Sequence, residues 1–117
     1  MDLRVTTELW VSAITRRAFA GGGFAAVERR GAAEAGVVMI VRRDRLGQIR
    51  LYAPAPQASY DNARPSERFF VEIMNTSDDI EITKRIEREV RFDPDLWVIE
   101  LEIADEAFAE LVPVTTP

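Results

Sequence analysis

The 117-residue chain is 47% apolar and 30% charged, the balance of a folded domain rather than a disordered or fibrous one. Its formal net charge is −5, and it contains no cysteine and no histidine. Disulfides, thiolate nucleophiles, thiolate or imidazole zinc ligands and a Ser-His-Asp arrangement within one chain are thereby excluded. Carboxylates, arginines, the single lysine Lys84, hydroxyls and an oxygen-ligated metal such as magnesium remain as tools. The length predicts one domain over residues 1–117. No apolar run approaches the ~18 residues that cross a bilayer. The opening "MDLRVTTELW" lacks the basic-then-apolar pattern of a secretory signal, so a cytoplasmic location is the default expectation.

"TTELWVSAITRRAFAGGG" reads as a helix. Thr6 or Thr7 caps its first turn, and Glu8 sits where the helix dipole favours an anion. Leu9, Trp10, Ala13, Ile14 and Phe19 recur at helical spacing and are expected to face the core. Arg16 and Arg17 fall near the C-terminus, and Gly21 to Gly23 end the helix. "FAAVERR" fits strand or helix, because its residues are small. "GVVMIVRR" is apolar on both faces and predicts a central strand. The turn "DRLG" leads into "QIRLYAPAP", which alternates like a half-buried strand until Pro54 and Pro56 stop it.

Residues 57–66, "QASYDNARPS", read as a polar loop. "ERFFVEIM" is a further strand, with Phe69, Val71 and Ile73 on one face. "NTSDDIEITKRIEREVRF" is a second helix, with Thr76 and Asp79 at capping-box spacing. Ile82, Ile86 and Val90 form its apolar stripe, and Glu81–Arg85 and Glu87–Arg91 are expected exposed pairs. "DLWVIELEI" is a strong strand, "DEAFAELV" a short terminal helix and "PVTTP" a frayed tail. The order α-β-β-β-β-α-β-α predicts an α+β fold: a mostly antiparallel sheet of about five strands with helices packed on one face. The last strand, following a helix, is free to lie parallel to an earlier one.

Charge is uneven along the chain. Residues 16–50 hold eight arginines and three acids, while residues 51–117 hold six basic and fifteen acidic residues. Either the two halves pair across the fold, or the basic segment binds a polyanion. The negative total charge favours pairing and argues against nucleic acid as a partner.

The glycine run fits a helix cap better than a phosphate loop, since it follows a helix and lacks GK[ST]. Arg16 and Arg17, with one of Arg29 and Arg30, could grip an anion; ion pairing or solvation is the plainer account. Tyr52 and Tyr60 could line a groove for a peptide or aromatic ligand. In "RFDPDLWVIELE", Pro94 should end the second helix near residue 92, and Asp93 suits an Asx-type turn. Trp97, Ile99, Leu101 and Ile103 then share one strand face, and Leu96, Val98, Glu100 and Glu102 the other. Glu100 and Glu102 could support acid–base work or a magnesium ion, but no third ligand is evident. They equally suit pairing with arginines of a neighbouring strand.

"ELWVSAITRR", "GGFAAVERRG", "AGVVMIV", "RLYAPAP" and "RFDPDLWVIELE" together resemble the alphaproteobacterial family called domain of unknown function 1491. The match runs in order from about residue 4 to residue 103. Members often carry an acid after the glycine of the turn written here "GAAEAG"; Ala32 departs from that pattern. The resemblance implies a small cytoplasmic bacterial domain and supplies no activity, cofactor or catalytic residue.

The leading expectation is a non-enzymatic interaction domain that meets a protein partner or itself as a homodimer, with no cofactor, no metal and no membrane contact. The alternative is a small-anion or phosphate-ligand binder, or a carboxylate-dependent enzyme. It would use Arg16, Arg17, Asp93, Asp95, Glu100 and Glu102, and requires them to converge. Nucleic-acid binding by residues 16–50 is the third.

Overall fold

The computed structural model describes residues 5–56 and 68–116. In chain order the elements are α1 (Thr7–Ala20), β1 (Phe24–Arg29), β2 (Val38–Arg43), β3 (Ile49–Pro54), β4 (Phe70–Thr76), α2 (Asp79–Phe92), β5 (Trp97–Glu102) and α3 (Asp105–Leu111). This is the expected α+β order. The strands form one sheet in the order β1-β5-β2-β3-β4. β5 pairs antiparallel with β1 and parallel with β2, and the other pairs are antiparallel. The doubly apolar run "VMIV" lies in the middle strand, buried at all four positions. The small residues of 24–29 settle as strand, because β5 offers them a ladder.

The helices cover both faces of the sheet, not one. α1 and α3 bury Val11, Ile14, Ala18, Phe108 and Leu111 against Ile40, Tyr52, Phe70, Trp97, Ile99 and Leu101. α2 lays Ile82, Ile86 and Val90 against Met39, Val41, Ile49, Leu51 and Val98 on the opposite face. The reason is in the central strands: β2 and β5 are apolar on both sides, so both sides need a cover. α2 lies mainly over β3 and β4 and reaches across to Met39 and Val41 of β2 and Val98 of β5.

Local details refine several expectations. Thr6 is the N-cap of α1, accepting from the Leu9 N–H. The buried stripe of α1 is Thr7, Val11, Ile14 and Ala18, one position off the predicted one, so Leu9, Ala13 and Phe19 are exposed. The loop after β1 sets this rotation: the Thr7 hydroxyl donates to the Gly36 carbonyl at 2.8 Å. Gly22 takes φ +83° in the turn between α1 and β1, a conformation glycine adopts freely. Asp78, not Thr76, caps α2, by accepting from the Ile80 N–H. Along α2 the observed i,i+4 pair is Arg85–Glu89 at 2.9 Å. In β4 Phe70 is the buried aromatic, tilted against Trp10 at 5.8 Å. The C-terminal tail is not frayed at its start: the Phe70 N–H donates to Pro113, and the Thr115 N–H to Phe70. The polar loop 57–66 and Tyr60 lie outside the described residues.

Candidate functional site

One end of the sheet carries the charged cleft. There β2 and β5, which run parallel, both finish, and the chain turns from α1 into β1 beside them. The cleft holds about 910 Å³ and is walled by Gly21 to Phe24, Arg42 to Leu46, Gln48, Arg50 and Glu102 to Asp105. A tight hairpin builds one wall. Asp44 accepts from the Leu46 and Gln48 N–H groups, and Gly47 supplies φ +85°. This turn sets the register, which places Arg42 directly opposite Arg50.

Three of the four arginines at this end, Arg42, Arg43 and Arg50, meet a carboxylate. Arg42 donates to the Ile103 carbonyl at 3.2 Å and to Asp105 at 2.5 Å, and its guanidinium lies 4.3 Å above the Phe108 ring centroid. Arg43 points to the other face, where it bridges Asp79 at 2.5 Å and Glu100 at 3.1 Å. The Asp79 hydrogen bond holds its pKa above the ordinary value, against the pull of burial. Arg50 approaches Glu72 at 3.5 Å. Glu102 has its carboxyl pKa raised, first by hydrogen bonding to Glu100 and then by loss of water and by the Glu100 charge.

The other end of β5 is tied down by a turn and by bonds to backbone carbonyls. Asp93 accepts from the Asp95 N–H, forming the expected Asx turn after Phe92. Arg29 folds back to donate to the Pro94 and Leu96 carbonyls. The whole of β5, Trp97–Glu102, lies between Asp95 and the end of Glu102, roughly 16 Å of extended chain. The predicted set of Arg16, Arg17, Asp93, Asp95, Glu100 and Glu102 therefore does not share one pocket. Arg17 pairs with Glu110 at 3.0 Å. Arg16 lines a separate groove of about 310 Å³ between α1 and β1, together with Glu8, Val27, Arg30 and Trp97. Tyr52 is buried, with its ring 5.1 Å from that of Phe108, and burial raises its pKa.

Structure adds Arg42, Arg50, Asp105 and Phe108 to the charged end. The signal was present in "VRRDRLGQIR": a hairpin centred on the turn pairs the first arginine of one strand with the arginine of the next. Charge pairing across the fold is also observed. Arg17, Arg42, Arg43 and Arg50 of the basic segment meet Glu110, Asp105, Asp79, Glu100 and Glu72 of the acidic one. Among the described residues no group of three or more acids could hold a metal ion, and no helix is long and apolar enough to cross a membrane.

A five-stranded α+β sheet with one parallel pair and a charged cleft at its end defines the class of fold. The chain belongs to the family "Protein of unknown function (DUF1491)", whose model matches residues 5–109. The solution structure of protein Atu0922 from A. tumefaciens is similar at 42% identity and TM-score 0.79, over 96% of this chain and 95% of that one. A crystal structure of a DUF1491 family protein from Caulobacter crescentus CB15 is similar at 36% identity and TM-score 0.70, over 86% of this chain and 87% of that one. An NMR structure of a DUF1491 family protein from the same organism is similar at 32% identity and TM-score 0.73, over 99% of both chains. No curated protein matches this chain.

Proposed function

We propose that this chain is a non-catalytic interaction domain that associates with a second copy of itself along β1. The observation that carries this reading is an open, apolar sheet edge. Among the described residues β1 pairs only with β5, on one side. Phe24 and Val27 are 44% and 45% exposed along it, and Phe19, edge-on to Phe24 at 6.0 Å, extends the apolar surface. Unpaired edges recruit other strands unless charge or a bulge blunts them. Here the bulge falls at Glu28, after the straight run Phe24–Val27. Arg29, the cation that could guard the edge, is turned back onto the Pro94 and Leu96 carbonyls just before β5. A two-fold antiparallel register centred on Ala26 sets Val27 against Ala25 of the other copy, with no like charges opposed at the centre.

Light scattering across a dilution series tests this. The expected result is the mass of two chains at high concentration, and one chain for Val27→Lys. A wild-type protein that stays monomeric at millimolar concentration, or a dimer that Val27→Lys leaves intact, overturns the reading.

A further inference from the structure

We infer that the cleft at the carboxyl ends of β2 and β5 is a binding site for a phosphate monoester bearing hydroxyl groups, held by Arg42, Arg45 and Arg50. This is independent of any association at β1.

The first argument is the placement of like charges. Arg42 and Arg50 are direct cross-strand partners, so their side chains leave the same face of the sheet side by side. Like charges so opposed destabilise a sheet. Their own counter-ions relieve this weakly: Asp105 has a side chain 90% exposed, and Glu72 stands 3.5 Å from Arg50 with both side chains about two-fifths exposed. Ion pairs in such contact with water contribute little and yield readily to a better partner. Arg45, on the turn above them, has no ion-pair partner among the described residues. A dianion supplies what the three lack.

The second argument is preorganisation. The Arg42 side chain is only 15% exposed and is fixed by Phe108 beneath it and the Ile103 carbonyl beside it. A guanidinium already held in place loses little freedom on binding, and its planar fork matches two phosphate oxygens.

The third concerns the rest of the ligand. About 910 Å³ falls within the range of small-molecule sites and exceeds what bare phosphate needs. Glu102 and Asp105 line the same space. A carboxylate repels a phosphate but accepts hydrogen bonds from hydroxyl groups. Cations and acceptors lining one space fit a phosphate ester of a hydroxylated small molecule.

Glycerol 3-phosphate is the probe, titrated in dilute chloride buffer while backbone and arginine side-chain N–H resonances are followed by NMR. Saturable shifts are expected at residues 42–50 and 102–105, with a dissociation constant of about 1 mM or tighter. Arg45→Ala and Arg50→Gln should each weaken binding about fivefold or more, and Arg88→Ala on α2 should leave it unchanged. Arg45 sits on an exposed turn, so its variant should fold whatever Arg42 or Arg50 contributes to stability. The inference is overturned by an absence of saturation, by equal shifts with acetate at matched ionic strength, or by binding that survives both cleft variants.

Discussion

The two ends of β5 are built on opposite terms. At its start, Trp97 is enclosed by the segment 31–37: its indole N–H donates to the Ala32 carbonyl at 2.7 Å, and its backbone N–H to Val37 at 2.8 Å. The Arg30 guanidinium stacks 5.0 Å from the ring centroid. Gly31 and Gly36 sit so close that an added Cβ would lie 2.1 Å and 2.7 Å from the Asp95 carbonyl oxygen. At its finish, the same strand pairs Glu100 with Arg43 and carries Glu102 into a cleft whose groups meet through ion pairs at its surface. Packing holds the first end, so it tolerates little change. Charge holds the second, so it can exchange one partner for another.

That contrast is broken most directly at Trp97, among the largest fully buried side chains. Trp97→Ala should cost about 3–5 kcal/mol, because it empties the core beneath α1 and leaves the Ala32 carbonyl with only the longer bond from the Gly36 N–H, at 3.3 Å. Urea unfolding checks this, and a loss below about 1 kcal/mol would mean that segment 31–37 collapses onto the gap. Gly31→Ala should cost about 1–3 kcal/mol, near the upper figure, since the obstacle is backbone rather than a flexible side chain. Both variants should leave binding in the cleft unchanged wherever the protein remains folded.

How far these ends could be read from sequence follows the same division. The period of two in "DLWVIELE" separates Trp97, Ile99 and Leu101 from Glu100 and Glu102, and the structure keeps that separation. Pro94 ends α2 where expected, and the doubly apolar "VVMIV" marks the middle of the sheet. Each is a local rule, carried by neighbours in the chain. The rotation of α1 is not local, because the Gly36 carbonyl that anchors Thr7 lies 29 residues away. The side chosen by α2 is not local either. Its stripe suits any apolar face, and only the full sheet shows that α1 and α3 already occupy one. The cleft escaped for the same reason: its arginines came from β2 and β3, and Asp105 and Phe108 from α3.

Arg43→Gln tests the charged end. Arg43 is the only cation within bonding distance of Glu100 among the described residues, and the Glu100 side chain is 12% exposed. Removing it leaves a nearly enclosed carboxylate beside Glu102 without compensation. A loss of about 1–2 kcal/mol is expected, more than an exposed pair would give and less than the Trp97 change. A double-mutant cycle with Glu100→Gln should recover a coupling above about 0.5 kcal/mol. A coupling of zero would mean that Arg43 acts through Asp79 alone.

The smallest effect is also the most specific to this end. The Glu102 carboxyl is raised above its ordinary value of 4.5 because its protonated form hydrogen-bonds Glu100. A carboxyl raised in the folded state binds its proton more tightly there than when unfolded. Its contribution is therefore fully present below the unfolded pKa and is lost as pH rises through the folded one. The Glu100 charge beside it disfavours the ionised Glu102 carboxylate. Glu102→Gln removes that repulsion, so the variant should be slightly the more stable at pH 7. The gain should fall within about 0.5 kcal/mol, because Glu102 is exposed and water screens its charge. Toward the acid side of the window the wild-type carboxyl takes up its proton and the difference should close. Paired thermal melts in half-unit steps from about pH 4 to pH 7 read this directly. A difference that stays constant across the window would show that Glu100 and Glu102 do not share a proton, and that Arg43 alone sets the charge at the end of β5.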